Sequence, residues 1–147
     1  MDLYTGERRG DLLRLNLPAL HAKVQSVLST FPDLSGAYLF GSALDFVRST
    51  SDIDLGLVFP PGLGRADAEL LAGRIESTLG KYGPHRFQTT VLLPEENHFT
   101  FTVLRDGELI YCAHEEVVTD LIEVVGRQHD DLAPFRHTFL EALGVIM

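Results

Sequence analysis

GAYLFGSALDFVRSTSDIDLGLVFP, Gly36 to Pro60, sets a Gly-Ser pair after one apolar run and an Asp-x-Asp pair on the next. Ala37 to Phe40 is rich in strand formers and stops at Gly41-Ser42, where the backbone can turn sharply. Ser42 is then placed to cap a short helix over Ala43 to Val47, whose first N–H groups have no partner inside the helix and point at any anion beside Ser42. Ser49-Thr50-Ser51 breaks that helix, and Asp52 to Phe59 reads as a second strand ended by Pro60-Pro61. Strand alternation puts Asp52 and Asp54 on one face, roughly 7 Å apart along the chain, with Ile53, Leu55 and Leu57 toward a core. Two carboxylates on one face repel unless a divalent cation lies between them. An all-oxygen, incomplete ligand set suits Mg2+, with triphosphate oxygens completing the shell. The bland alternative is that Ser42 only caps a helix and both Asp residues face water, leaving an α+β interaction protein with no ligand.

The combination resembles the nucleotidyltransferase superfamily that includes DNA polymerase beta, and most closely its minimal nucleotidyltransferase (MNT) branch. The residues that carry the likeness are Gly41-Ser42, nine intervening residues, and Asp52-Ile53-Asp54 within SDIDL; it extends loosely from about Pro18 to Tyr111. The resemblance implies an α+β two-layer fold, a mixed sheet of about four to five strands with helices mainly on one face. It implies that Asp52 and Asp54 bind Mg2+ and serve catalysis, and that Gly41, Ser42, Arg48, Ser51 and Gln88 contact the nucleotide. The activity implied is Mg2+-dependent transfer of a nucleotidyl group from an NTP such as ATP to an acceptor, a protein among the candidates. The alternative is a catalytically weak Mg-NTP-binding protein acting as antitoxin or regulatory partner of a HEPN-type toxin.

Two departures bear on that activity. The family often carries a basic residue and a Gly shortly after the Gly-Ser, where this chain has Asp45-Phe46, and Arg48 is the nearest cation to supply the charge. The family's third carboxylate falls on a later strand, where Arg86 to Leu92 offers Gln88, and a neutral amide cannot act as general base. Glu95, Glu96 and Asp45 are the candidates to replace it.

At 147 residues the chain is expected to be one domain, with 1–14 a loose arm and 114–147 C-terminal helices. Twelve Lys and Arg against 21 Asp and Glu give a formal charge of −9, which argues against long nucleic acid as a ligand; Arg8-Arg9 and Arg14 are the nearest thing to a basic cluster. No apolar run approaches a bilayer span and no signal-peptide pattern opens the chain, so a cytoplasmic protein is expected. Cys112, the only cysteine, excludes an intrachain disulfide and reads as an inert thiol. His21, His85, His98, His114, His129 and His137 show no paired ligand spacing and read as surface or capping residues.

The remaining elements follow from periodicity and caps. Asn16 and Pro18 open a helix whose apolar positions are Leu20, Val24, Val27, Leu28 and Phe31, expected on the back of the sheet away from the Asp pair. A second helix spans Arg65 to Leu79, a third strand Arg86 to Leu93, and a helix runs from Glu95-Glu96 to about Leu104. Glu108 to Cys112 is a fourth strand. An amphipathic helix through Val117 to Val125 closes at Gly126, and a last helix covers about Pro134 to Leu143.

Overall fold

The computed structural model describes residues 2–128. Its centre is a five-stranded mixed sheet in the order β5 (Lys81–Tyr82), β6 (His85–Val91), β4 (Ile53–Val58), β3 (Gly36–Phe40), β7 (Glu108–Cys112). β4 runs antiparallel to β3 and parallel to β6, so the Gly-Ser turn leaving β3 and the start of β4 meet at one end of the sheet. Alternation along the central strands separates two cores. Ala37, Leu39, Ile53, Leu55 and Leu57 face one side, where α1 (Leu17–Leu28) and α2 (Arg65–Leu79) cover them through Leu20, Val24, Ala72 and Ile75. Tyr38 and Val58 face the other, against α3 (Asn97–Asp106) and α4 (Glu115–Gln128) through Val103, Leu104, Val118 and Ile122. The α+β architecture is the expected one, with α1 on the back of the sheet; α3 and α4 add cover to the face that carries Asp54.

Local chemistry explains the element boundaries. Asn16 caps α1, its side-chain oxygen accepting the Ala19 N–H at 3.3 Å. The positive φ of 65° at Gly80 follows α2 without strain, as glycine permits. α4 does not close at Gly126 but runs through it to Gln128, with Val125 and Gly126 buried against the core. The helix expected over Pro134 to Leu143 lies outside the described residues.

Two expectations are corrected, and the corrections are linked. The first residues are not a loose arm: β1 (Tyr4–Arg9) and β2 (Leu12–Leu15) form a hairpin across Gly10-Asp11, where Gly10 takes the positive φ (62°) that a two-residue turn demands. Nor does a helix span Ala43 to Val47. Gly41–Leu44 is a single 3-10 turn, with no side-chain cap from Ser42, because Val47 is needed elsewhere. Its backbone exchanges two hydrogen bonds with Leu13, at 2.7 and 2.8 Å, and so must be extended. The hairpin thereby becomes an edge of the motif loop.

Candidate active site

Asp54 stands in β4 with Phe40 of β3 on one side and Gln88 of β6 on the other, both in direct register. Residues paired across a sheet share a face, so Phe40, Asp54 and Gln88 form one row at the open end of the sheet. Gly41 follows Phe40 with φ of 78°, and a Cβ there would lie only 2.8 Å from Asp54 Oδ2. The carboxylate therefore occupies the space that a side chain at position 41 would fill. Ser42 comes next and is exposed, its carbonyl accepting the Asp45 N–H at 3.0 Å.

Asp52, the expected first residue of the strand, sits one residue before the observed start of β4 and is exposed. Burial pushes the Asp54 carboxyl above the usual carboxylate range, and the charge of Asp52 pushes it further. Both causes disfavour the ionised pair, and a cation between the two would relieve both. The residues fit such an ion as a two-carboxylate, all-oxygen set; among the described residues no cluster of three or more His, Cys, Asp or Glu side chains is placed to hold a metal.

The loop entering this pair is fixed from three directions. The Arg48 N–H donates to Ser51 Oγ at 3.0 Å, closing the turn between them. The Ser51 carbonyl accepts from His85 Nδ1 at 2.8 Å, and His85 Nε2 lies 2.8 Å from the Tyr4 hydroxyl of the hairpin. His85 is fully buried, which corrects its reading as a surface or capping histidine. Arg48 and Ser51 thus belong to the loop that leads into Asp52, and Gln88 stands in register with Asp54. Glu95 and Glu96 lie elsewhere: they form a 3-10 turn beyond the last residue of β6, at the sheet end opposite Gln88, and Glu96 pairs with Arg65 at 3.1 Å. Neither can replace a carboxylate at position 88.

On the other flank Phe99 of α3 stacks edge-on against Phe40, centroids 5.7 Å apart, giving the row an apolar wall. Cys112 is half-buried on β7, and burial followed by the nearby Glu115 pushes its thiol up, away from the thiolate a nucleophile requires. A mostly apolar groove of about 340 Å³, lined by Pro60, Leu63, Leu92, Leu121 and Val124 among others, lies at the far end of the sheet and includes none of the site residues. The row at Asp54 lies at the other end of the sheet, with Asp54 half-buried and Ser42, Asp52 and Gln88 exposed.

Comparison with solved structures finds the same architecture. A toxin-antitoxin crystallised with AMP-PNP aligns over 84% of this chain and 97% of its own at 17% identity, with TM-score 0.48. An MNT antitoxin in complex with a tri-AMPylated Shewanella oneidensis HEPN toxin aligns over 86% and 97% at 17% identity and TM-score 0.48. A mutant MntA-HpeT toxin-antitoxin aligns over 84% and 97% at 16% identity and TM-score 0.50. At such identities the likeness is one of fold. No curated protein sequence matches the chain. The family model for polymerase beta nucleotidyltransferases matches residues 22–116, a segment that begins within α1, contains the Gly-Ser turn, the Asp pair and Gln88, and ends at the start of α4. The chain therefore belongs to the polymerase beta nucleotidyltransferase family.

Proposed function

We propose that this protein binds a nucleoside triphosphate with Mg2+ and transfers its nucleotidyl group to an acceptor. The observation that carries the reading is the packing of Asp54 over Gly41, which joins the carboxylate pair to the Gly-Ser turn in one site. Asp52 and Asp54 would hold the metal, which when bound supplies Lewis-acid polarisation of the phosphoryl oxygens. Ser42 and the backbone of the 3-10 turn bind the triphosphate, and Arg48 and Ser51 fix the loop that presents Asp52. The acceptor oxygen forms a bond to the α-phosphorus as the bond from that phosphorus to the bridging oxygen of pyrophosphate breaks. The acceptor's proton passes to water, since the Gln88 amide cannot take it.

A second reading, a Mg-NTP-binding antitoxin with little turnover that acts on a HEPN-type toxin, draws support from Gln88. Its neutral amide stands in register with Asp54 where a further carboxylate would be expected. A protein partner is in keeping with the toxin-antitoxin whose fold aligns at TM-score 0.50. Both readings place the protein in the cytoplasm; no helix of the described residues is long and apolar enough to cross a membrane.

Titration calorimetry with Mg-ATP separates these readings from a ligand-free protein. Affinity is expected to vanish in Asp52→Asn and Asp54→Asn, which keep shape but lose charge, and to weaken in Ser42→Ala. Unchanged affinity in both Asp variants would refute the metal assignment. Pyrophosphate release with candidate acceptors then decides between transferase and weakly active antitoxin.

A further inference from the structure

The hairpin brings to the motif loop a charge that the loop itself lacks. The Arg9 guanidinium lies 4.8 Å and that of Arg14 5.9 Å from the centre of the Phe46 ring. Arg9 pairs with Leu12 across the hairpin, and Leu12 shares a face with Arg14 two residues on. Leu13 bridges to Val47, so the residues flanking Val47, Phe46 and Arg48, fall on that same face. Three guanidinium-bearing residues and a partly exposed aromatic ring are thus collected on one surface, in a chain of formal charge −9. Glu7 pairs with Arg14 at 3.4 Å, both side chains well exposed; among the described residues no carboxylate forms a salt bridge with Arg9 or Arg48. The patch borders the site, because β2 lies against the Gly41–Leu44 turn and Arg48 closes the turn before Asp52.

We propose that Arg9 and Arg14, stacked on the Phe46 ring, and Arg48, two residues beyond that ring on the same face, form a platform on the rim of the Ser42 and Asp54 site that binds the oxyanions of a phosphorylated nucleotide. Guanidinium groups donate paired hydrogen bonds to phosphoryl oxygens, and the ring holds two of them in place without neutralising them. The basic residue missing at Asp45-Phe46 is replaced from another strand: Phe46 is the support for arginines that the hairpin supplies. This inference deepens the nucleotidyl-transfer reading and rests on it for the class of ligand. The phosphate could belong to the triphosphate donor or to a phosphorylated acceptor.

The test is calorimetric titration of the full chain with inorganic tripolyphosphate at low salt and without divalent cation. Wild type is expected to bind, and Arg9→Gln/Arg14→Gln, which keeps much of the side-chain stems on Phe46, to bind on the order of tenfold or more weaker. Asp52→Asn/Asp54→Asn is expected to bind at least as well as wild type, since repulsion has been removed. No binding by wild type, or equal binding by the Arg variant with an unchanged unfolding midpoint, overturns the proposal. Should that variant be destabilised, Arg48→Gln alone must weaken binding, and equal affinity there overturns it as well. If Mg-ATP affinity survives in the Asp variants while tripolyphosphate affinity still falls in the Arg variants, the metal assignment fails and the platform stands. Displacement of tripolyphosphate by Mg-ATP assigns the platform to the donor. Binding of 5′-AMP beside saturating Mg-ATP, weakened by the same Arg variants, assigns it to a phosphorylated acceptor; if neither behaviour is seen, the ligand is not a nucleotide phosphate and the proposal falls.

Discussion

The Tyr4 hydroxyl meets Nε2 of His85 at 2.8 Å, across 81 residues of sequence, while Nδ1 of the same ring meets the Ser51 carbonyl. A carbonyl only accepts, so Nδ1 carries the hydrogen, and with that tautomer Nε2 is the acceptor for the Tyr4 hydroxyl. The hairpin, β6 and the loop before Asp52 are joined through one fully buried side chain. Tyr4→Phe keeps the ring packing, including the edge contact with His85 at 5.8 Å, but strips the buried nitrogen of its donor. The expected cost is about 1–3 kcal/mol in urea unfolding. An unchanged midpoint would mean that water replaces the hydroxyl and that the hairpin is held by its other contacts.

Gly41→Ala tests the joint between turn and carboxylate. The positive φ of 78° disfavours any L side chain, and the new methyl would stand 2.8 Å from Asp54 Oδ2. Backbone strain alone costs about 1–2 kcal/mol, and relief of the clash moves the carboxylate. Reduced stability together with lost Mg-ATP binding is expected; a stable variant that binds normally would show that Asp54 is free to turn elsewhere.

Asp54→Asn should separate stability from function. Burial and Asp52 raise the folded-state pKa of Asp54, so its contribution to stability is fully present below the ordinary carboxylate pKa and is lost as pH rises through the raised value. At neutral pH without divalent cation the ionised group is therefore a liability. The Asn variant is expected to unfold at a slightly higher temperature, with a gain of about 0.5 kcal/mol or less because solvent screens this half-exposed group. Wild-type stability should also rise on mild acidification in this range and the variant's rise less. A clear loss of stability in the variant would mean that the carboxylate makes favourable contacts in the folded chain.

The strand, turn and strand around the Gly-Ser and Asp-x-Asp pairs were legible because apolar residues alternate with period two and glycine and proline punctuate them. Helical spacing of Ile75 and Leu79 gave α2 its observed bounds, and the resemblance set Gln88 at the position that the structure pairs with Asp54. The hairpin was hidden because Tyr4 to Arg9 is mostly exposed and charged, leaving Gly10-Asp11 as its only local signal. Everything that depends on the hairpin was hidden with it. The truncation of the motif helix follows from a pairing of Val47 with Leu13, and the burial of His85 from Tyr4, both long-range contacts that no window around the motif contains.

Gln88→Asp asks whether the missing carboxylate limits the chemistry. Gln88 is exposed and in register with Asp54, one strand away on the same face, so a carboxylate there would stand beside the Asp pair without a change of backbone. It could accept the acceptor's proton, a task commonly worth on the order of 10² to 10⁴ in rate. The added negative charge also repels Asp52 and Asp54, so in the absence of divalent cation the variant should be less stable than wild type, and Mg2+ should restore more stability to it than to wild type. The two measurements fail independently. Faster pyrophosphate release with Mg-ATP and an acceptor shows that position 88 faces the reacting groups and that wild type is slow for want of a base. Unchanged release with the expected Mg2+-dependent rise in stability shows that the side chain reaches the metal site but that proton removal is not limiting. Neither effect would mean that Gln88, despite its register with Asp54, takes no part in the site.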